Sequence, residues 1–383
     1  MKVLTHSVEE TITGTVDRGQ LIEFLKKNKL IPASWEFCSI YVDQPSAADD
    51  IEFISKRTTV GPGKWFYKMR YLITGGCGFI GSNFIHQVLY EDPQAEIVNI
   101  DNLTYAGNLE NVRFVEDNKQ YKFVKCDIND QIEDYVDGKF DVVINFAAES
   151  HVDNSIADPN VFVRTNVLGA YNMLEFARKQ NCRFVQVSTD EVYGSLDKGH
   201  ASEGYALNPS SPYSASKAAA DLLVLGNYKT YNQDVIITRC TNNYGINQHP
   251  EKLLPKIITL ALQNRPIPIY GDGTNIREWI HVVDHCRGIL AALKKGRSGE
   301  IYNFGSSHYI TNNEIVKIIF DNLPESTSAI WYVTDRKAHD YRYAVSWSKA
   351  YTHLGWRPTM NIFDTIPDLI GYYKRNYQTW TSI

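Results

Sequence analysis

From Met69 onward, short apolar runs alternate with longer segments of helical spacing. This alternation is typical of a parallel α/β sheet. Several runs are continuous and rich in Val and Ile, as expected when helices cover both faces of the sheet. Six runs are predicted as strands: Arg70–Thr74, Glu96–Ile100, Lys122–Cys126, Val142–Phe146, Arg183–Ser188 and Asp234–Arg239. The order is less regular after Tyr244, which predicts a smaller second lobe built onto the sheet.

The first 68 residues have a different pattern. A helix is predicted from Asp17, its N-cap, to Leu25, and a strand over Trp35–Val42. The sequence Gly61-Pro62-Gly63 predicts a linker. A segment this small cannot bury a core of its own, so we expect it to dock on the main body as an appendage. We expect it to be dispensable for chemistry and to act in oligomer contact or partner docking.

Composition excludes several classes of protein. The 383 residues include 39 Lys+Arg and 44 Asp+Glu, a net charge of −5 without a basic cluster, which argues against nucleic-acid binding. The longest apolar runs, such as residues 257–262, fall far short of the roughly 20 residues that cross a bilayer. Charged residues occupy the N-terminus, where a signal peptide needs an apolar run. The six cysteines are widely spaced, which predicts reduced thiols, no metal site and a cytoplasmic protein.

Three glycines, Gly75, Gly78 and Gly81, directly follow the first predicted strand. Glycines at this spacing permit a tight turn and a close approach of the backbone to a dinucleotide pyrophosphate; a Gly-rich loop without a ligand is the alternative. Asp101 closes the next strand, about 20 residues on, where a carboxylate accepts from the ribose hydroxyls and repels a 2′-phosphate. A turn or N-cap carboxylate is the alternative there. With Asp127 placed to flank the adenine, the pattern predicts NAD rather than NADP.

Tyr213 and Lys217 lie four residues apart in an Ala-rich segment, on one face of a predicted helix. A neighbouring ammonium and a cationic nicotinamide ring would lower the phenol pKa from its reference of about 10. The same spacing also occurs on ordinary helix faces. Combined with the glycine motif and with Ser188-Thr189 after a strand, however, it resembles the extended branch of the short-chain dehydrogenase/reductase superfamily, whose members modify sugar nucleotides.

Two adjacent carboxylates, Asp190 and Glu191, follow Thr189 just past a strand end. Oxidation alone does not require these two carboxylates. The alternative interpretation is a charged pair that caps the next helix. Removing water across C5–C6 of a sugar, in contrast, needs one group to take the C5 proton and another to protonate the leaving hydroxyl. Paired carboxylates in different protonation states can divide that work.

From residue 69 to 370 the chain resembles the dTDP-glucose 4,6-dehydratase family. The matching segments, in order, are residues 101–109, 147–153, 189–194, 242–245, 250–253, 277–280 and 339–343. The resemblance implies a Rossmann-type doubly wound parallel sheet with a smaller C-terminal substrate-binding lobe. It divides the chain into residues 1–68, an NAD-binding domain at 69–245, and a sugar-nucleotide lobe at 246–383 that is partly interleaved with it. It also implies a homodimer formed through the Tyr213 helix and the helix after Asn166.

The resemblance assigns roles to the catalytic residues. Tyr213 would take the O4 proton, Lys217 would hold Tyr213 and the nicotinamide ribose, and Thr189 would orient the sugar 4-hydroxyl. Glu191 would remove the C5 proton and Asp190 would donate to the C6 hydroxyl. NAD would take hydride from C4 and return it to C6, so that dTDP-glucose becomes the 4-keto-6-deoxy sugar of rhamnose-type biosynthesis without net oxidation.

The resemblance also implies two sets of binding residues. Besides the three glycines, the residues that would contact NAD are Phe79, Ile80, Asp101, Asn102, Leu103, Thr104, Asp127, Ile128, Phe146, Ala147, Ala148, Glu149, Ser150, Thr165, Tyr213, Lys217 and Asn243. The residues that would line the sugar-nucleotide pocket are Ser150, Thr189, Asp190, Glu191, Asn242, Lys252, Pro268, Tyr270, Arg277, Asn312, Asp335, Arg336 and His339. Arg277 suits a diphosphate because its planar guanidinium binds phosphate bidentately; a surface ion pair with Glu278 is the alternative.

The chain departs from the family pattern at a few positions. Asn154 replaces a common Arg, Glu278 replaces the usual Asp, and Lys337-Ala338 replaces a Pro-Gly pair before His339. We therefore expect the loop near the base or ribose to follow a different path. A UDP-glucose 4,6-dehydratase remains an alternative, and a sugar-nucleotide 4-epimerase or decarboxylase a more remote one. Asp190 argues against both of the latter, because epimerases lack the Asp-Glu pair and decarboxylases usually have Ser before the Glu.

Overall fold

The structure is a computed structural model that describes residues 2–5, 8–11 and 68–376. The chain divides into two compact units, Met1–Phe66 and Tyr67–Ile383. In the first unit, β1 (Lys2–Thr5) pairs with β2 (Val8–Thr11) in antiparallel fashion. The helix and strand predicted over residues 17–25 and 35–42 lie outside the described residues.

Seven parallel strands form the main sheet of the second unit: β3 (Arg70–Thr74), β4 (Glu96–Asp101), β5 (Tyr121–Lys125), β6 (Val142–Asn145), β7 (Arg183–Thr189), β8 (Val235–Cys240) and β12 (Glu300–Phe304). Their order across the sheet is β5-β4-β3-β6-β7-β8-β12. All six predicted strands are confirmed, each to within one residue at either end. The seventh, β12, was not predicted. The strand order reverses between β3 and β6, which is where doubly wound sheets bind their ligands.

Nine α-helices are present in the described part of the chain: α1 (Phe79–Glu91), α2 (Val152–Ala157), α3 (Pro159–Phe162), α4 (Ala170–Gln180), α5 (Pro212–Tyr231), α6 (Leu253–Leu262), α7 (Val282–Lys295), α8 (Asn312–Asp321) and α9 (Ile362–Arg375). A π-helical segment over Val163–Gly169 leads into α4, and a 3₁₀ turn over Asp190–Tyr193 follows β7. No helix among the described residues is both long and apolar enough to cross a membrane.

Both faces of the main sheet are buried. Ile73 belongs to a core that includes Phe84 of α1 and Ile289 of α7, whereas Leu72 belongs to a separate core with Met173 of α4 and Val224 of α5. Successive strand residues point to opposite faces, so one strand contributes to both cores. This three-layer arrangement confirms the predicted fold class.

A smaller lobe lies beyond the sheet. Its strands are β9 (Asn242–Tyr244), β11 (Ile276–His281) and β13 (Tyr309–Thr311) in one sheet, and β10 (Ile267–Tyr270) and β14 (Ile330–Val333) in another. Residues of α6, α8 and α9 pack with Trp279 in its core. The late elements α7 and β12 belong instead to the layers of the main sheet, so the two lobes are interleaved in sequence.

Candidate active site

The glycine turn between β3 and α1 is closely packed against β6. Gly75 has a left-handed φ of +67°, and a Cβ there would lie 2.7 Å from the backbone nitrogen of Ala147. A Cβ at Gly81 would collide with the carbonyl oxygen of Gly75. The first turn of α1 has no side-chain cap, so its amide groups remain available to an anion. The turn therefore fits the pyrophosphate of a dinucleotide.

Asp101, at the end of β4, is held by two backbone amides. Its Oδ2 accepts from the Cys77 amide at 2.9 Å and its Oδ1 from the Leu103 amide at 2.8 Å. Burial raises the pKa of Asp101, and these two hydrogen bonds oppose that rise. A carboxylate oxygen has more than one acceptor position, so this fixed group can also accept from ribose hydroxyls. Asn102 Nδ2 donates to Asp127 Oδ2 at 2.9 Å and joins the ends of β4 and β5.

A cavity of about 310 Å³ extends from the glycine turn to the carboxyl ends of β7 and β8. Every residue predicted to contact NAD lines this cavity except Leu103, whose amide instead supports Asp101. These residues come from the ends of β3, β4, β5 and β6, from the start of α1, from the π-helical segment, from α5 and from β9. The donors, the carboxylate and the glycine turn thus fit NAD in a single crevice. No group of His, Cys, Asp and Glu able to hold a metal occurs among the described residues.

The helix α5 brings Tyr213 and Lys217 to the same cavity. Its N-terminus is fixed by a capping box between Ser211 and Ser214 and by Pro212 in the first turn. Both site residues are buried, and the Lys217 ammonium donates to the Val187 carbonyl oxygen at 2.7 Å. Lys217 is therefore anchored on β7, while burial, followed by the charge of Glu191, holds the pKa of Tyr213 well above its usual range.

Thr189 ends β7 and starts the turn that carries the two carboxylates. Its Oγ1 accepts from the Glu191 amide at 3.2 Å and donates to Asp190 Oδ1 at 3.2 Å. Thr189, Asp190, Glu191, Tyr213 and Lys217 all line the cavity, so the structure brings the five predicted catalytic residues together.

The two carboxylates differ in their surroundings. Burial, followed by the charge of Glu191, raises the pKa of Asp190 well above its usual range. Burial also raises the pKa of Glu191, but three cations, Arg336, Arg277 and Lys252, oppose the rise. Asp190 is therefore favoured as the protonated partner and Glu191 as the ionised one, which is the asymmetry that acid–base elimination requires.

The predicted sugar-nucleotide residues form two groups. Ser150, Asn242 and Lys252 line the cavity with the catalytic residues, and Lys252 Nζ donates to the Ser150 carbonyl at 2.8 Å. The others do not line this cavity and belong to the second lobe: Pro268 and Tyr270 in β10, Arg277 in β11, Asn312 at the start of α8, and Asp335, Arg336 and His339 in the segment after β14.

Arg277 is a buried cation whose hydrogen bonds go to backbone carbonyls. Its guanidinium donates to the carbonyls of Ile276 at 2.8 Å and Asp340 at 2.9 Å and lies 4.6 Å from the centre of the Tyr343 ring. No carboxylate within the described residues forms an ion pair with it. The alternative of a surface ion pair with Glu278 is wrong, since Arg277 is only 5% exposed. A fixed, unpaired guanidinium suits an anionic ligand.

Glu278 has a structural role at the position where the family usually has Asp. Its side chain is fully buried and accepts from three backbone amides, of Ser306 (2.8 Å), Ser307 (2.7 Å) and Val345 (3.0 Å). This carboxylate joins β11 to two separate segments of chain.

We expect Glu278→Ala to lower the free energy of unfolding by about 2–4 kcal/mol, because buried amide groups would be left without acceptors. Urea unfolding followed by circular dichroism measures this. Glu325→Ala, which removes an exposed ion pair with Lys374, is the matched control and should change stability by less than about 1 kcal/mol. Equal effects of the two substitutions would contradict the structural role of Glu278.

The Lys337-Ala338 departure lies in a strained turn. Ala338 has a φ of +52°, in the region that glycine adopts freely. His339, the next residue, is bonded through Nδ1 to Asp335 Oδ1 at 2.6 Å, and its ring lies edge-on to Tyr270. The left-handed conformation is thus present although Ala replaces Gly, at the cost of backbone strain.

Sequence reasoning missed a polar cluster at the cavity: Gln248, His249 and Glu251 also line it, and the Tyr105 ring packs edge-on against His249. Glu251 lies 3.8 Å from His151 and 3.7 Å from the Lys252 ammonium. Glu251 is adjacent to Lys252, a predicted pocket residue, in the matched segment 250–253. Its charge at that position could therefore have identified it as a site residue.

Asn166 was also missed as a support of the site. Its side chain forms hydrogen bonds with the Glu149 amide (2.8 Å) and carbonyl (3.0 Å) and donates to Ser216 Oγ at 2.9 Å. It therefore ties the loop after β6 to α5. No sequence pattern indicated this role, because the hydrogen-bond partners of Asn166 are distant in the chain.

Comparison with known proteins agrees with this site. The family model described as GDP-mannose 4,6 dehydratase matches residues 72–369. A dTDP-glucose 4,6-dehydratase of Actinoplanes sp. is 43% identical over 322 residues, which cover 82% of this chain and 100% of the relative. A crystal structure of dTDP-glucose 4,6-dehydratase from Streptomyces venezuelae, solved with NAD and a second ligand, superposes with a TM-score of 0.77 at 44% identity, covering 82% of this chain and 99% of that one. The Bacillus anthracis enzyme in complex with NAD gives a TM-score of 0.75 at 44% identity, with the same coverage. The chain therefore belongs to the sugar-nucleotide 4,6-dehydratase family, within the group whose members are named dTDP-glucose 4,6-dehydratase.

Proposed function

We propose that this protein is an NAD-dependent hydro-lyase that converts dTDP-glucose to dTDP-4-keto-6-deoxyglucose. The observation that carries the proposal is the pair Asp190 and Glu191, which lie with Tyr213 and Lys217 in one NAD-shaped cavity and differ in the charges around them. The names of the relatives matched at 43–44% identity support the same reaction.

The glycine turn, Asp101 and the loop after β6 would hold NAD. When bound, NAD would supply the acceptor for hydride from the sugar C4 and the donor of hydride to C6, so that no net oxidation would occur. The remaining chemistry belongs to the protein. Tyr213 removes the O4 proton. Burial raises the pKa of Tyr213, and the cationic side chain of Lys217, anchored on Val187, opposes that rise by favouring the phenolate. Thr189 orients the sugar 4-hydroxyl from the end of β7.

The 4-keto group makes the C5 proton acidic. Glu191, kept ionisable by Arg277, Arg336 and Lys252, removes that proton, and Asp190, kept protonated by burial, donates a proton to the leaving C6 hydroxyl. Glu191 then returns a proton to C5. Both carboxyls lie in the buried end of the cavity, which excludes bulk water from the reactive unsaturated sugar.

Nucleotide selectivity is proposed in favour of dTDP over UDP. Several relatives at 42–44% identity are named dTDP-glucose 4,6-dehydratase, whereas matched structures of UDP-sugar 4-epimerases are only 25–27% identical. A 4-epimerase or decarboxylase has no use for the second carboxyl group, and Asp190 lies in the cavity beside Glu191.

To test the function, purified protein is incubated separately with dTDP-glucose and UDP-glucose. The alkali-induced absorbance of the 4-keto-6-deoxy product is followed, and loss of one water is confirmed by mass. We expect faster turnover of dTDP-glucose. Faster turnover of UDP-glucose would keep the reaction and reassign the nucleotide, whereas product from neither would reject the dehydratase. Tyr213→Phe is the inactive control.

We further propose that the enzyme is a cytoplasmic homodimer. Large apolar side chains are exposed on α5 (Leu222, 59% exposed), on the π-helical segment (Leu168, 56%) and on α4 (Tyr171, 45%). Such a surface is typical of an interface between subunits. Light scattering of the purified protein measures the mass, and a monomer at micromolar concentration would contradict the proposal.

A further inference from the structure

A buried ion pair lies beneath the catalytic end of α5. Asp221 is fully buried, and its Oδ2 accepts from Arg239 Nε at 2.8 Å. Tyr213, Lys217 and Asp221 are spaced four residues apart along α5, so they share one helix face. None of the steps proposed above uses Asp221 or Arg239.

Arg239 is fixed on its other side by Tyr193, which lies in the 3₁₀ turn after β7. Its Nη1 donates to the Tyr193 hydroxyl oxygen at 2.9 Å, and the guanidinium lies 4.9 Å from the centre of that ring. The Tyr193 hydroxyl donates in turn to Asn303 Oδ1 at 2.8 Å. Burial raises the pKa of Asp221, and the charges of Arg239 and Lys217 oppose that rise. An ionised partner that cannot rotate away thus favours the carboxylate form of Asp221.

Lys217 is a buried ammonium in need of compensation. It donates to the Val187 carbonyl and has no carboxylate within ion-pair distance among the described residues. Burial lowers the pKa of Lys217, whereas the negative charge of Asp221, on the same helix, raises it. The other titratable group facing Lys217 is the Cys240 thiol of β8.

A buried ion pair contributes little net stability, since packed apolar side chains of similar volume stabilise a core equally well. One carboxylate between two buried cations has a different consequence. Asp221 interacts with both cations, since the charges of Arg239 and Lys217 each lower the pKa of its carboxyl. Without Asp221, the buried ammonium of Lys217 would lose the negative charge that offsets its burial, and loss of its proton would be favoured.

We propose that Asp221 is a positioning residue that keeps Lys217 in its ammonium form, with Arg239 holding Asp221 in place as a carboxylate. The inference rests on the proposed function, in which Tyr213 works as a base only beside a charged Lys217. In this proposal Asp221, which is remote from the substrate, stabilises the Tyr213 phenolate indirectly, through the charge of Lys217.

The test is the pH dependence of kcat/KM for dTDP-glucose. Asp221→Asn should shift the alkaline limb to lower pH by about 1 unit or more, because the ammonium loses the negative charge that raises its pKa. Asp221→Glu, which retains the charge, should return the limb toward the wild-type position. Asp284→Asn is the matched control: Asp284 is also fully buried and paired with an arginine, Arg287, but it supports Thr359 and Met360. It should lower stability without moving the limb.

An unmoved alkaline limb in a folded Asp221→Asn protein would overturn the proposal. A second measurement needs no turnover. In wild-type protein labelled with [ε-¹³C]lysine, the Lys217 signal, identified by its absence in Lys217→Arg, should keep the ammonium shift at neutral pH. A neutral amine there would also overturn the proposal. If the wild-type protein forms no dehydrated sugar, the proposed function fails, and the labelled signal, compared between wild-type and Asp221→Asn protein, still reports whether Asp221 holds the charge of Lys217.

Discussion

Replacing Asp190 by Asn is expected to lower kcat for dTDP-glucose by a factor of about 10²–10⁴, the usual contribution of a positioned general acid. Asn keeps the size of the side chain but cannot release a proton to the leaving C6 hydroxyl. Tyr213, Lys217 and Glu191 remain in place, so oxidation at C4 and removal of the C5 proton should continue. We therefore expect the fluorescence of reduced cofactor to accumulate on mixing with substrate.

Glu191→Gln is the informative partner of this variant. Both substitutions should stop elimination, but only Glu191→Gln should stop exchange of the C5 hydrogen with deuterated solvent, which mass spectrometry of the recovered sugar detects. Near wild-type kcat in Asp190→Asn would contradict the role of Asp190 as the general acid. C5 exchange that survives in Glu191→Gln and is lost in Asp190→Asn would show that the two residues have the opposite roles.

The second large effect is expected from Gly75→Ala. The added Cβ would lie 2.7 Å from the Ala147 nitrogen, and Ala would have to adopt the φ of +67°. Strain and overpacking together should lower the free energy of unfolding by about 2–4 kcal/mol. Any shift of the turn away from β6 also moves the amides that face the pyrophosphate, so we expect at least about tenfold weaker NAD binding.

Urea unfolding and a titration with NAD followed by tryptophan fluorescence measure the two effects separately. Gly204→Ala is the control, because a Cβ there meets nothing within 4 Å and the φ of Gly204 is not in the left-handed region. Unchanged NAD affinity in Gly75→Ala would show that the turn does not form the cofactor site.

Six strands of the main sheet could be predicted from the sequence because their segments are mostly apolar and alternate regularly with helical segments. β12 escaped prediction because it lies after Tyr244, where the alternation of strands and helices is less regular, and because it contains a single aliphatic residue, Ile301. Its identity as a strand depends on parallel pairing with β8. Packing against a neighbour, rather than local pattern, determines that element.

The catalytic residues were predictable from spacing, since Tyr213 and Lys217 share a helix and Asp190 and Glu191 share a turn. The difference between the two carboxyls was not predictable from spacing. It depends on burial and on Arg277, Arg336 and Lys252, which come from separate parts of the second lobe and its connection. The supports of the site, Asn166 and the pair Asp221–Arg239, likewise depend on contacts between distant segments.

Transfer of deuterium from C4 to C6 of one sugar molecule tests the central claim most directly. dTDP-glucose labelled with deuterium at C4 is converted in ordinary water, and the position of the label in the product is read by NMR. A closed redox cycle on a retained cofactor predicts deuterium at C6 of the 4-keto-6-deoxy product. Label lost to water, or recovered in reduced cofactor released to solution, would contradict the account.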